Sequence, residues 1–452
     1  MIASLKGFPG TGSFSRGVHP PGRKKLAEDA PIEVLPTPAQ VAIPLLQHTG
    51  APCEPLVKIK QEVVLGEKIG DAAGFISAPV HASIAGTVQM ASVATLPNGR
   101  HVKTLPIKAG PNQLSGDALK EEIFGGEWPK TGLERHAPEQ IVKAVREAGL
   151  VGLGGAAFPT HVKLTRNEKR PVDTLLVNGC ECEPYLTSDY RLMLEFPAPI
   201  VTGALLAAHA AGAKQIIIAI ESNKPAAAEA LRKAAEGTAV KVAVVKTKYP
   251  MGGERQVIPA VLKREVPTSG LPLDVGVVVI NVGTAAALAR AVLRGKPLTH
   301  RIVSVTGAGV SKPKNLLVPV GASYGELIDF CGGLTADAAR VIAGGPMMGF
   351  ALAAFHNVPV TKGTSGVVVL TKEDVRRSEE TACVRCGRCV DVCPLHLVPT
   401  KMALSSRYQD WEQAKRYQLM ACCECGCCAY VCPASIPLVQ LMRVGKALMP
   451  KD

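Results

Sequence analysis

From residue 174 to 293 the apolar residues come in unbroken runs and do not alternate with polar ones. The runs 174–177, 215–220, 240–245 and 275–280 have the length of strands buried on both faces, and segments 199–211, 224–236 and 284–293 between them have helical spacing. That order predicts a largely parallel sheet with helical crossovers. Just before it, Ile141, Val142 and Val145 share one face of a helix over 140–148. The pattern changes on either side. Between 39 and 109, short β-prone runs (56–59, 63–65, 74–76, 84–88, 104–107) are punctuated by glycine, which predicts a small all-β sandwich. Beyond 300, the run 302–305, the turn 307–309 and the helical stretch 323–330 predict a small mixed module. Residues 371–380 are charged and read as a linker or helix, while 411–419 has helical spacing. Residues 1–38, rich in glycine and proline, predict an extended arm lying over a neighbour or partner. The expected fold class is multidomain α/β. Its parts are an arm 1–38, a β domain 39–110, a parallel α/β domain 130–295, a mixed module 300–350 and a helical C-terminal domain 371–448.

Composition narrows the setting. Ten of the 14 cysteines fall in the last 70 of 452 residues, so they form a local device and not a disulfide framework. The N-terminus is too poor in apolar residues for a signal or anchor, and a reducing compartment is expected. Windows 197–220 and 275–293 are apolar but interrupted, the first by His209, Gly212 and Lys214, the second by Asn281 and Gly283. Both are expected as buried strand and helix pairs and not as membrane spans. The formal charge of +13 raises nucleic acid as a partner. The basic residues are dispersed, however, and aromatics are only 4% of the chain, so no stacking platform stands out and no nucleic acid is expected. A solvated basic face, or docking to acidic redox partners or an anionic membrane surface, accounts for the charge.

The cysteines repeat a pattern. Cys383, Cys386, Cys389 and Cys393 are followed by Pro394, and Cys422, Cys425, Cys428 and Cys432 are followed by Pro433. This x2, x2, x3, Pro spacing builds [4Fe–4S] clusters, with the fourth cysteine of each run ligating the other cluster. The expected sets are Cys383, Cys386, Cys389 and Cys432 on one cluster, and Cys422, Cys425, Cys428 and Cys393 on the other. Cys423 and Cys427 are left as bystanders. Two zinc sites would share the Cys-x2-Cys elements but do not call for the whole pattern twice.

A second constellation begins with Gly152, Gly154 and Gly155, ahead of Phe158 and Lys163. Glycines let backbone N–H groups approach a phosphate, and lysine adds charge. Asn178 and Glu181 follow one strand, and Gly252, Gly253 and Glu254 follow another, at the strand ends where open α/β sheets bind ligands. Cys180 and Cys182, in the same stretch, read as buried, unreactive thiols in preference to a redox-active pair.

These three stretches resemble the flavin mononucleotide (FMN) and NADH site of the flavoprotein subunit of respiratory complex I. The segment 77–88 resembles the barrel-sandwich fold of biotinyl and lipoyl carriers without their modified lysine, and 300–350 resembles a soluble-ligand-binding β-grasp (SLBB) module. The ordered combination, over residues 8–445, resembles the C subunits of Rnf (Rsx) electron transport complexes. The resemblance implies that Gly152, Gly154, Gly155 and Lys163 cradle the FMN phosphate and that Phe158 lies near the nicotinamide nucleotide. It also implies that Asn178, Glu181, Gly252, Gly253, Glu254, Asn281 and Thr284 line the flavin and nucleotide site, with Glu181 and Glu254 governing reaction with NADH. The chain departs from complex I at Leu153 (arginine expected), Cys180 (aspartate) and Gly253 (glutamate). The implied function is that of a peripheral subunit on the cytoplasmic face of the cell membrane. It would exchange hydride between NAD(H) and FMN, and single electrons through two [4Fe–4S] clusters. Its partners would be integral membrane and ferredoxin-like subunits of an ion-translocating ferredoxin:NAD oxidoreductase. A soluble cobalamin reductase and a non-catalytic ferredoxin scaffold are the rival readings.

Overall fold

The computed structural model describes residues 7–375 and 379–450. At its centre, strands Thr174–Gly179, Gln215–Glu221, Val240–Val245 and Val277–Asn281 form one parallel sheet. Thr174–Gly179 is an inner strand and Val277–Asn281 an edge, so Asn178 stands level with Asn281 at the C-terminal end. Helix Pro197–Ala211 covers the sheet and lies on helix Val282–Arg294. Gly203 permits that contact, because a Cβ there would run into the Ala285 carbonyl. Ile200, Val201, Leu206 and Leu288 are fully buried and each contributes roughly 1.5–3 kcal/mol of hydrophobic stabilisation. No single helix among the described residues is long and apolar enough to cross a membrane, and the apolar Pro197–Ala211 is a core helix.

The preceding β domain folds as two small sheets around Ile43, Ile69, Val80 and Ile107. One holds Gln40–Pro44, Glu62–Val63, Gly86–Val88, Ser92–Thr95 and His101–Ala109, and the other Glu54–Pro55, Lys68–Asp71 and Val80–His81. The runs 56–59 and 74–76 are not strands. They are loops that leave Leu56, Ile59, Phe75 and Ile76 exposed, so turns override local β propensity there.

The mixed module is larger than its sequence pattern. Its six-stranded sheet runs Ile32–Val34, Lys314–Pro319, His300–Thr306, Gly366–Thr371, Ala338–Ala343, Phe350–Leu352. One inner strand therefore comes from beyond 350 and one edge strand from the N-terminal arm. That arm lies over its own chain. Val18 pairs with Tyr249, Gly17 N–H donates to Val392 O, and Lys24 Nζ donates to the carbonyls of Glu181, Glu183 and Leu186 at 2.6–2.8 Å. Its first six residues lie outside the described part, as do 376–378 of the charged segment; Thr371 closes a strand. The C-terminal domain packs helix Pro399–Arg407 on Leu438–Leu448, with Trp411–Arg416 beside them.

Candidate functional site

The glycine stretch is a short hairpin. Helix Pro138–Glu147 ends at Ala148, and Gly149 turns the chain at φ +65°, a conformation glycine adopts without steric cost. In the stem Val151 bridges Pro159, Thr160 N–H donates to Leu150 O at 3.0 Å, and Gly152 N–H donates to Phe158 O at 2.8 Å. Residues 153–157 form the tip. Leu153 is buried; its N–H donates to Thr284 Oγ1 and its carbonyl accepts from the buried Arg301 guanidinium, both at 3.0 Å. Gly154 lies against Asn281, and Gly155 (φ +108°) has nothing within 4 Å of where a Cβ would stand. The tip therefore offers bare backbone to an anion, as a phosphate cradle requires.

Lys163 projects from helix Thr160–Leu164, with Nζ 2.5 Å from Glu254 Oε1 and 3.1 Å from Val279 O. The lysine expected at the phosphate and the carboxylate expected at the nucleotide thus meet. Glu254 opens helix Glu254–Leu262, with Gly253 at its N-cap. Asn178 Nδ2 donates to Gly252 O at 2.8 Å, and its Oδ1 accepts from Cys180 N–H. Gly252 must be glycine, since a Cβ would strike the Cys180 carbonyl. Burial holds the Cys180 and Cys182 thiols far above their ordinary pKa, so both stay protonated.

Asn281 caps helix Val282–Arg294, with Oδ1 accepting from Gly283 and Thr284 N–H, while Nδ2 donates to Asp189 Oδ2 at 2.6 Å. Asp189 is not legible in the sequence as a site residue. Burial, and next the neighbouring Glu181 charge, push the pKa of its carboxyl up. Glu181 itself is buried at the N-terminus of helix Ser188–Glu195. It accepts from Ser188 Oγ (3.2 Å), Asp189 N–H (2.9 Å) and Tyr190 N–H (3.3 Å). The structure therefore joins Lys163 to Glu254, Asn178 to Gly252 and Thr284 to Leu153, and gives the Glu181 carboxylate to a helix cap. Phe158 is half-buried in the hairpin stem.

The two cysteine runs share one backbone path. Positive φ recurs at Arg385 and Glu424, at Gly387 and Gly426, and at His396 and Ser435, always at the same offset. Gly387 and Gly426 each begin a four-residue helix, Arg388–Asp391 and Cys427–Tyr430. This register sets Cys422, Cys425, Cys428 and Cys432 against Cys383, Cys386, Cys389 and Cys393, and matches Cys423 and Cys427 to Val384 and Arg388. A cavity of about 180 Å³ is lined by Cys383, Cys386, Cys389 and, from the other run, Cys432. A second is lined by Cys422, Cys425, Cys428 and the crossing Cys393, with Cys423 and Cys427 also on its wall. Each cavity brings together the four cysteines expected on one cluster, the second being closed down to about 20 Å³.

The second run adjoins the flavin domain. Tyr249 Oη donates to Cys425 O at 2.6 Å, and Tyr249 heads the stretch that reaches Gly252 and Glu254. Glu183 accepts from Met347 N–H (3.1 Å) and Met348 N–H (2.8 Å), and burial lifts its carboxyl to about 7. The first run faces outward, with Val384, Arg385, Cys386 and Arg388 exposed.

Comparison with known proteins adds four family matches. They are the RnfC barrel sandwich hybrid domain over 12–111, the Nuo51 FMN-binding domain over 145–290, the SLBB domain over 302–351 and a 4Fe-4S dicluster domain over 382–437. The chain is 42% identical to the C subunit of the proton-translocating ferredoxin:NAD(+) oxidoreductase complex of Clostridium ljungdahlii, over 89% of this chain and 86% of that one. It is 42% identical to the C subunit of the Na(+)-translocating ferredoxin:NAD(+) oxidoreductase complex of Acetobacterium woodii, over 96% of both. It is also 42% identical to the C subunit of the ion-translocating oxidoreductase complex of Rhodobacter capsulatus, over 96% of this chain and 82% of that one.

Proposed function

The chain belongs to the family of C subunits of ion-translocating ferredoxin:NAD(+) oxidoreductase complexes, and from that premise we propose how its residues divide the work. It carries an FMN-binding domain and a 4Fe-4S dicluster domain. When bound, these groups supply the exchange between a two-electron hydride and single electrons. The hairpin, with Gly154 and Gly155 at its tip and Gly152 closing its stem, and the Lys163 ammonium hold the FMN phosphate. Asn178, Asn281 and Thr284 fix the cleft floor at the strand ends. Gly252, Gly253 and Glu254 form the lip over which NAD(H) enters, and Phe158 contacts the nucleotide. Asp189 Oδ2 accepts from Asn281 Nδ2, and burial together with the Glu181 charge raises the pKa of its carboxyl. Glu181 is a positioning residue that fixes the helix carrying Asp189.

Cys422, Cys425, Cys428 and Cys393 hold the cluster on the flavin side, and Cys383, Cys386, Cys389 and Cys432 hold the outward one. The observation that carries this reading is the Tyr249–Cys425 hydrogen bond, which ties the nucleotide lip to a cluster loop. The chain sits peripherally on the cytoplasmic face of the membrane, on integral and ferredoxin-like partner subunits. Affinity purification from solubilised membranes tests this. Integral membrane subunits and NADH-dependent dye reduction should elute together with the chain. A chain that elutes alone and without that activity contradicts the reading.

A further inference from the structure

The FMN hairpin is gripped from behind by residues of three other segments, and one buried lysine lies at the centre of the grip. Lys362 is 1% exposed. Its Nζ donates to Gly149 O at 2.7 Å, at the base of the hairpin, and to Pro79 O at 2.5 Å, in the barrel-sandwich domain. Its backbone N–H donates to Gln47 Oε1 at 3.0 Å, also in that domain. Lys362 belongs to a tight turn, 361–364, in which Thr364 N–H donates to Thr361 O. The same turn runs under the hairpin tip, since a Cβ on Gly363 would lie 3.4 Å from Gly155 O and 3.3 Å from Ala157 Cβ. Arg301 adds a second cation between turn and tip, donating to Thr364 O (3.2 Å) and Leu153 O (3.0 Å). On the barrel-sandwich side, Thr49 N–H donates to Ala157 O at 3.3 Å and His161 Nε2 donates to Phe75 O at 3.0 Å.

A buried lysine amino group, charged or neutral, is costly to desolvate and persists only where its donors are used. Here both identified acceptors are backbone carbonyls of separate domains, and no carboxylate among the described residues bonds to it. A packed apolar side chain would therefore be cheaper for stability alone. A phosphate cradle made of backbone gains affinity from being rigid before the ligand arrives. We propose that Lys362 is a positioning residue for FMN: through the two hydrogen bonds of its Nζ, the barrel-sandwich domain and the 361–364 turn clamp the glycine hairpin in its phosphate-binding shape. This assigns the barrel-sandwich domain a role in flavin retention. The inference rests on the FMN reading of the hairpin.

The test compares the full chain, with its clusters assembled, with Lys362→Met and Lys362→Arg. Two readouts are used: FMN titration, and hydrogen exchange of peptides covering 149–160 and 215–221. Lys362→Met should weaken FMN at least tenfold and speed exchange in 149–160, leaving 215–221 and the iron content unchanged; Lys362→Arg should recover part of the affinity. FMN affinity within twofold of the wild type, or exchange raised equally in both peptides, overturns the proposal. If Lys362→Met does not fold, Gln47→Leu decides, because it releases the turn without uncovering the two carbonyls. A threefold or greater loss of FMN affinity supports the clamp, and unchanged affinity overturns it. Wild-type protein that binds no FMN would instead refute the reading of the hairpin itself.

Discussion

The Lys163 ammonium and the Glu254 carboxylate are 2.5 Å apart, although one follows the glycine hairpin and the other opens a helix beyond a different strand. The pair places one cation and one anion at a single point of the cleft, so the two substitutions should separate. Lys163→Ala removes the phosphate's cation and should raise the FMN dissociation constant about tenfold, a loss of roughly 1.4 kcal/mol, with iron content unchanged. Glu254→Gln should leave FMN bound at least as tightly, since Lys163 is then released from its partner, and should slow NADH-dependent flavin reduction. Flavin titration and stopped-flow reduction read the two effects.

Glu181→Gln tests a carboxylate held in a helix cap. The charge at the N-terminus of Ser188–Glu195 is lost and one acceptor remains, so destabilisation of about 1 kcal/mol is expected. NADH-dependent reduction should slow because Asp189 is carried on that helix. Dithionite reduction of bound FMN should be normal. Equal rates with NADH in wild type and variant would leave Glu181 a purely structural residue.

Much of the fold is legible in the sequence because buried parallel strands leave an unmistakable trace, as at Gln215–Glu221 and Val240–Val245. The strand-end position of Asn178 follows from the same trace, whereas Asn281 enters only through the resemblance. Lys362, Arg301 and Asp189 are not legible. Each is a lone polar residue whose partners lie far along the chain, and no local spacing announces a contact made only in the folded state. Glu181 reads as facing the nucleotide because its position after a strand is visible, while the claim of Ser188, Asp189 and Tyr190 on its oxygens is not. The full membership of the mixed module's sheet escapes the sequence for a related reason: strand Gly366–Thr371 inserts between earlier strands, and its own run carries no sign of which sheet it joins.

Cys423→Ser and Cys427→Ser should each retain about eight irons per chain, by the two-cluster count. Cys393→Ser and Cys432→Ser should each damage the cluster held mainly by the opposite run. Iron analysis with electron paramagnetic resonance on the four variants distinguishes crossing from non-crossing ligation. Loss of a cluster in the Cys423 or Cys427 variant would shift the register of the second run.

Stability should depend on pH through Lys362. Burial lowers its pKa from 10.5 to about 7. Between those values the unfolded chain binds a proton that the folded chain does not, so stability rises with pH across that window. Below about pH 7 both states are charged, and the desolvation cost is fully present. The wild type should therefore gain on Lys362→Met as pH rises from 7 towards 10 in chemical denaturation. Parallel pH profiles for the two proteins would contradict this.

In the reading developed above, one chain holds a flavin that NADH can reduce and two clusters that receive its electrons. An anaerobic NADH titration of the purified, cluster-loaded chain decides it, with flavin absorbance and cluster paramagnetic signals followed together. One FMN and about eight irons per chain are expected. NADH should bleach the flavin, and cluster signals should appear with the bleaching and vanish in Lys163→Ala protein stripped of FMN. Cluster reduction by NADH in that flavin-free protein, or a fully loaded chain whose flavin NADH does not bleach, would contradict it.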